Sequence, residues 1–517
     1  MTRSPHLPTA AAALLATGAL VTLLAVVVPG QHLPTGDGAH ILAAAWRIGA
    51  SAAPIDDLLH RITPHPPLAY APSALLVPWL GVRATLAAQA LLSTALAFVG
   101  IRWLRPSAHP ADHLTALAVL LSSGIVWWAT DQHALDWLST ALVLAALGAV
   151  LRATASAKAA APIAAIALLA AILTKYTAAF ALVGGIGMAL ALGAWRKRTT
   201  WIIAGVVVVV GLAWTARAYA DLTAYSATTL SEAGAGGPGG AINRDPNISF
   251  ADRLAPARLL LWLQALRDCF GWLPLAALAG SLAWTRLATP GARIAAAAAA
   301  VPLLTFPLMR IQPQPRYLLP SAALLLVAAL PRHDRPRARV FTVAAGILAL
   351  VATIYSAALY RGLPPADRPG HRATTPTAGL GDWPWPAAPT WPTRSPVEQW
   401  GTADALAAVH AQLPEGGSGA LVRFGFDPDR PSWAAIDLVA RQHGIQREWV
   451  VAESPRGPLH AAPGMPEPTW AWVSWTDESA RPALAWVQDH ADLEGAITWW
   501  SEDGTGGVVL PLGAHQH

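Results

Sequence analysis

The stretch TPHPPLAYAPSALLVPWLG, residues 63–81, decides how often this chain crosses an apolar phase and which way round it lies. Pro64, Pro66 and Pro67 crowd around His65. Each proline fixes its own φ and pushes the preceding residue out of the α region, so the segment cannot begin as the middle of a helix. The apolar run behind it, residues 68–80, is shorter than the ~20 residues that a bilayer core requires. Counting it as a full span places the basic connections of the chain on the outer side. Reading 65–81 as an external, partly immersed segment places them inside, where the positive-inside rule puts them.

Composition supports a membrane setting. Of 517 residues, 54% are hydrophobic and 13% are charged, whereas soluble domains carry roughly 25% charged residues. A net charge of +5 would suggest nucleic acid in a soluble chain. Here Lys and Arg fall mainly between apolar runs, where they set orientation, so no nucleic-acid partner is expected. The single cysteine, Cys269, excludes an internal disulfide framework.

Candidate spans lie near 9–29, 82–104, 113–129, 137–152, 159–173, 177–194, 200–218, 271–285, 293–308, 316–331 and 340–358. The first resembles a signal peptide, but the many later spans favour an uncleaved helix. With the N-terminus inside, the cytoplasmic connections are RWLRPSAHPADH, RATASAK, WRKR, TRLATPGAR and PRHDRPRAR, which are the basic ones. The outer side receives residues 30–81, TDQHALD, KY, a long loop at 219–270, RIQPQPR and everything after 360. The expected fold class is therefore a polytopic α-helical membrane protein of about 11 spans with a small C-terminal α/β extracytoplasmic domain. Residues 1–360 form the membrane domain, 361–396 a Pro/Trp-rich linker, and 397–517 the α/β domain. In the last part, helix candidates at 398–412, 432–443 and 480–490 alternate with the strand candidates GALVRFGF, EWVVAE, TWAWVSW, GAITWWSE and GGVVLPL. No glycine-rich phosphate loop or cluster of metal ligands occurs there.

Ionisable groups at membrane depth are costly and usually face a cavity or a partner. Nearly all of them fall on the outer side: Asp37 and His40 in PTGDGAH, His65, Asp131 and Asp136 in TDQHALD, Lys175 and Tyr176 in LTKYT, and Arg310, Arg316 and Tyr317 in RIQPQPRY. Each has a plain structural alternative. Asp37 between glycines suits a turn, Asp136 suits an N-cap, and Asp131 suits a solvated loop. Lys175 suits snorkelling, Arg316 suits anchoring to headgroups, and His65 and His40 suit satisfied structural histidines. The functional case rests on their common depth. Cations there suit a phosphate, and a carboxylate suits deprotonation of an incoming hydroxyl or amine. A second carboxylate suits a divalent cation or the acceptor, leaving Asp37 and Asp136 as metal candidates and the metal itself open. A sugar linked to a lipid phosphate unites these demands. Its transfer passes through an oxocarbenium-like state whose departing phosphate needs charge spread from it.

An Asp soon after the first span, followed by HPPLAYAPSALLVPWLGVRATLAAQALLSTALAFVGIRWLR, resembles the membrane glycosyltransferases of the type C fold, in their protein-mannosyltransferase and lipid A aminoarabinose-transferase branch. LDWLSTALVLAALGAVLR looks like their second acidic site, and LTKYTAAF and QPRYLLPSAALLLVAAL like their later outer-facing motifs. The similarity covers roughly residues 9–330, and order and spacing carry it.

The resemblance implies an inverting transferase that uses a polyprenyl-phosphate sugar on the non-cytoplasmic side, with membrane lipids around it and a glycan, lipid or protein as acceptor. It implies Asp37 as catalytic base or acceptor-orienting carboxylate and Asp136 as the second acidic site. His65 would be the Pro-Pro-Leu partner, and Lys175 and Arg316 phosphate binders. Where the family often has paired acids, Gly38 follows Asp37; Ala69 separates Tyr70 from the Pro-Pro-Leu. Two rivals are a transporter or flippase of a lipid-linked or anionic substrate, and a membrane scaffold whose α/β domain binds a partner. Activity that survives deletion of 397–517 but not a change at Asp37 would exclude the scaffold. An oligosaccharide polymerase or ligase would differ only in acceptor.

Overall fold

The computed structural model describes residues 7–27, 36–60, 66–131, 133–155, 160–234, 249–270, 287, 289–309, 313–331 and 338–362; towards the C-terminus it describes 406–407, 409–411, 419–425, 433–445, 449–454, 470–475, 496–500 and 506–511. Alanine- and leucine-rich runs, strong helix formers, build the first part. The helices are α1 (Leu7–Val27), α2 (Gly36–Gly49), α3 (Pro54–His60), α4 (Ala71–Leu104), α5 (Pro110–Leu121), α6 (Gly124–Asp131), α7 (Asp136–Ala155), α8 (Ala160–Thr174), α9 (Ala178–Ala191), α10 (Arg198–Gly234), α11 (Pro256–Phe270), α12 (Pro290–Thr305), α13 (Pro315–Ala329) and α14 (Ala338–Gly362).

Among the described residues, four helices are long and apolar enough to cross a membrane, or five if the bent pair α5–α6 is one span. Five shorter apolar helices accompany them. Every candidate span falls on one of these elements except 271–285, which lies outside the described residues.

Three expectations need correction. The span expected at 113–129 is not a straight rod, since α5 and α6 meet at 63°. Two side chains take up carbonyls at the bend, and a third ties the bend to α11. Ser122 Oγ donates to the Val119 carbonyl at 2.8 Å, Trp127 Nε1 to the Leu121 carbonyl at 2.7 Å, and Ser123 Oγ to the Cys269 carbonyl. Such capture of ladder acceptors is an established cause of kinks. Second, residues 219–270 are not simply a loop. With no proline or glycine between residues 212 and 233, α10 runs on to Gly234, and α11 follows. Third, the described part of the corner, residues 66–81, is mostly helical. A single 3-10 turn, Pro67–Ala69, leads directly into α4. That helix breaks at Gly81, whose φ of 73° only glycine adopts without strain. The half before the break exposes Leu75, Trp79 and Leu80, a face suited to the bilayer boundary.

Small residues set the helix spacing. A Cβ on Gly100 of α4 would lie 2.4 Å from the backbone of Leu144 in α7, and one on Gly291 of α12 would lie 1.7 Å from the Leu104 carbonyl oxygen. At the end of α13, the buried Arg105 guanidinium donates to the carbonyls of Val327, Ala328 and Leu330. It caps that terminus in place of solvent.

The five strand candidates form one mixed sheet of β1 (Gly419–Gly425), β2 (Trp449–Ser454), β3 (Trp470–Trp475), β4 (Ile497–Trp500) and β5 (Gly506–Pro511), in the order β2-β1-β3-β5-β4. Strands β1, β2 and β3 pair in parallel, and β5 pairs antiparallel with β3 and β4. Helix α15 (Trp433–Gln442) lies between β1 and β2 in sequence. The helix candidate at 480–490 lies outside the described residues.

The core of this region is continuous with the helical part. Leu406, Val409, Ile436, Val439, Trp470 and Val509 join one buried cluster with Ile41, Leu42 and Ile48 of α2, Tyr70, and Val77 of α4. Deleting 397–517 therefore strips a buried face from α2 and is not the clean test of a scaffold that the sequence suggests.

Candidate functional site

Three helix ends, far apart in sequence, meet at one place. Asp136 is the first residue of α7, where the exposed N–H groups and helix dipole favour a carboxylate. Lys175 directly follows α8, in the tight turn LTKYT that reverses the chain into α9. Its Nζ lies 2.5 Å from Asp136 Oδ1. The side chains are 4% and 17% exposed, so water screens this pair little.

The same ammonium lies 5.8 Å from the ring centroid of Tyr317, in the first turn of α13. Arg316, one residue earlier, places its Cζ 5.2 Å from that ring and its Nη2 3.4 Å from the Tyr317 hydroxyl. Its Nε donates to Gln314 Oε1 at 2.7 Å. Below them, Phe306 packs edge-on against Tyr317 and Phe180, and tilted against Trp262. Two cations thus share one tyrosine above an aromatic floor.

Helix α11 brings a second, buried ion pair, Arg267 Nε to Asp268 Oδ1 at 2.6 Å. Cys269 beside it lies 3.5 Å from the Pro315 carbonyl and accepts on its own carbonyl from Ser123. Its thiol lies within the field of both Asp268 and Asp136. The start of α13, the bend between α5 and α6, and α11 are therefore tied together beside Asp136.

The proline-rich segment is tied to the same region from the other side. Ser73 Oγ and His133 Nε2 are 2.9 Å apart, and Arg83 lies 3.7 Å from Asp131. His133 occupies a left-handed conformation (φ 51°) in the connection that leads into α7. Burial holds its pKa down to about 3, so it stays neutral.

Asp136, Lys175, Arg316 and Tyr317 are thus brought together. Tyr176 lies in the same turn as Lys175, with its hydroxyl beside Trp214 of α10. Asp131 is paired one connection away. Asp37 opens α2, with its side chain outside the described residues, and His40 sits half-buried one turn on. His65 and Arg310 lie outside the described residues. Sequence reasoning missed Arg83 and the Arg267–Asp268 pair. An Arg just after the Gly81 break and an Arg-Asp step inside apolar ALRDCF were the available signals.

The described donor set does not fit a divalent cation. Asp136 is taken by Lys175, and no three His, Cys, Asp or Glu side chains gather among the described residues.

No family model and no curated protein matches the chain. Solved structures do. A crystal structure of ArnT from Cupriavidus metallidurans in the apo state matches over 96% of this chain and 97% of that one, with a TM-score of 0.58 and 13% identity. A structure of ArnT from Cupriavidus metallidurans bound to undecaprenyl phosphate matches over 97% and 98%, with a TM-score of 0.59 and 13% identity. The chain has the ArnT fold, in agreement with the type C fold expected from the sequence.

Proposed function

We propose that this chain is a multi-pass membrane glycosyltransferase that moves a sugar from a polyprenyl phosphate to an extracytoplasmic glycan, lipid or protein. The observation that carries the reading is the meeting of Asp136, Lys175, Arg316 and Tyr317 at three helix ends, in a fold whose ArnT relative binds undecaprenyl phosphate. Positions at helix ends favour this reading over a transporter, whose polar sites lie nearer the midplane.

In the proposed reaction the acceptor hydroxyl or amine attacks the anomeric carbon from the face opposite the phosphate. Asp37 takes the acceptor's proton, and the bond from the anomeric carbon to the phosphate oxygen breaks with its electron pair leaving on phosphate. Lys175 and Arg316 hold the negative charge that develops there, in a site dry enough for such contacts to act strongly. Asp136 keeps the ammonium placed before the donor arrives, and His65 and His40 are assigned as substrate-binding residues. We place the N-terminus in the cytoplasm, the α/β region of 397–517 outside, and about eleven spans between.

The test uses purified Asp37→Asn protein in lipid nanodiscs. It is expected to insert and fold as wild type, and to bind undecaprenyl phosphate, but to transfer no sugar from lipid donors. Full transfer by that variant refutes the assignment of the base. Mass spectrometry of envelope glycans with and without the gene identifies the sugar and acceptor.

A further inference from the structure

Helix α15 reads WAAIDLVARQ, and its residues Ile436, Asp437, Leu438, Val439 and Ala440 are all buried, more than one full turn. A carboxylate in such a row is tolerated only when it is paired. Asp437 is 0% exposed, and its Oδ2 accepts from two guanidinium groups, Arg441 Nε one turn on and Arg47 Nε from α2, each at 3.1 Å. The two arginines differ in kind. Arg441 belongs to the same helix as Asp437, whereas Arg47 reaches across 390 positions of sequence.

Arg47 lies in the last turn of α2, the helix whose first turn holds Asp37. Ten residues of helix separate the two, about 15 Å of rigid rise. Between them Ala39, Ile41, Leu42, Ala43, Ala44 and Ala45 are all buried, because α2 packs on α4 and also joins the core formed with α15 and the sheet. Apolar burial is non-directional, whereas the Arg47–Asp437 pair fixes one register of α2 against α15.

We infer that the C-terminal α/β region acts as a clamp on α2, with Arg47 and Asp437 as positioning residues that fix where Asp37 stands. This rests on the glycosyltransferase reading for what Asp37 does, but not for the clamp itself. It gives the α/β region a role in catalysis without a ligand of its own.

The experiment compares full-length Arg47→Gln, Arg441→Gln and Asp437→Asn in nanodiscs by amide hydrogen exchange and by transfer kinetics. Arg47 is partly exposed, which makes Arg47→Gln the variant that best survives folding. Both Arg47→Gln and Asp437→Asn are expected to speed exchange along α2 at least about tenfold, with β1 and β5 unchanged. Arg441→Gln is expected to leave α2 near wild type. Transfer by Arg47→Gln is expected to fall in kcat, with KM for the lipid donor unchanged. Exchange in α2 that ignores Arg47→Gln, or that rises equally with Arg441→Gln, overturns the clamp. A wild-type protein that transfers no sugar overturns the functional reading instead, and leaves the exchange result to judge the clamp.

Discussion

Replacing Lys175 by methionine keeps the unbranched stem as far as Cε and removes the ammonium, which leaves the Asp136 carboxylate 4% exposed without its 2.5 Å partner. Breaking a buried ion pair on one side costs about 3–5 kcal/mol. The 17% exposure of Lys175 puts this case near the lower end, about 3 kcal/mol. Losing one charge-assisted contact to phosphate costs a further ~1.5–3 kcal/mol in ligand affinity, or about 10- to 100-fold. These two effects separate in the double variant. Asp136→Asn with Lys175→Met removes the orphaned charge, so thermal stability returns towards wild type, while undecaprenyl phosphate still binds weakly. Asp136→Asn alone frees the ammonium and keeps binding at least as tight as wild type. Thermal unfolding and titration with undecaprenyl phosphate in nanodiscs read all four corners of the cycle. A double variant that is stable and binds like wild type would show the pair to be structural only, and would remove Lys175 from the phosphate site.

Arg105→Met uncaps the carbonyls of Val327, Ala328 and Leu330 and is expected to lower stability by about 3 kcal/mol in a melt. Undecaprenyl phosphate binding should persist, because Arg316 lies at the opposite end of α13. Gly291→Ala is expected to prevent close packing of α12 on the end of α4 and to cost more than about 2 kcal/mol, whereas Gly187→Ala meets nothing within 4 Å and should be neutral in the same melt. Buried His133 stays neutral in the folded state while the unfolded chain takes a proton near the ordinary histidine pKa of 6.5. Its contribution is therefore complete above pH 6.5 and is lost as pH falls towards 3, up to about 4–5 kcal/mol in all. His133→Gln should flatten that part of the stability profile, and an unchanged slope would remove the histidine as its cause.

Residues that interrupt apolar runs were the legible part of the site. Asp136, Lys175 and Arg316 each stand where a long hydrophobic stretch stops, and charge inside such a stretch demands a partner. That is why their depth could be read before their contacts. Arg83 and Asp268 follow the same rule, but Arg83 stands at the very start of the expected span 82–104, where a charge passes for a span edge, and Asp268 lies in a segment taken as external, where a charge needs no explanation. The bend between α5 and α6 depends on Ser123 reaching the Cys269 carbonyl 146 positions away, which no local pattern displays. Strands β1 to β5 were visible as β-branched and aromatic runs between turn residues. Their union with α2 was not, because the alanine faces that form it look the same whether they meet lipid or protein. Asp437 offered the one clue, as a carboxylate in an apolar helix face.

Cryo-electron microscopy of the protein in nanodiscs loaded with undecaprenyl phosphate tests the central claim most directly. The account predicts phosphate density within about 3 Å of Lys175 Nζ or the Arg316 guanidinium, with the isoprenoid chain leaving between helices beside Phe306. A lipid phosphate bound elsewhere, with Lys175 still closed on Asp136 and Arg316 untouched, would contradict it.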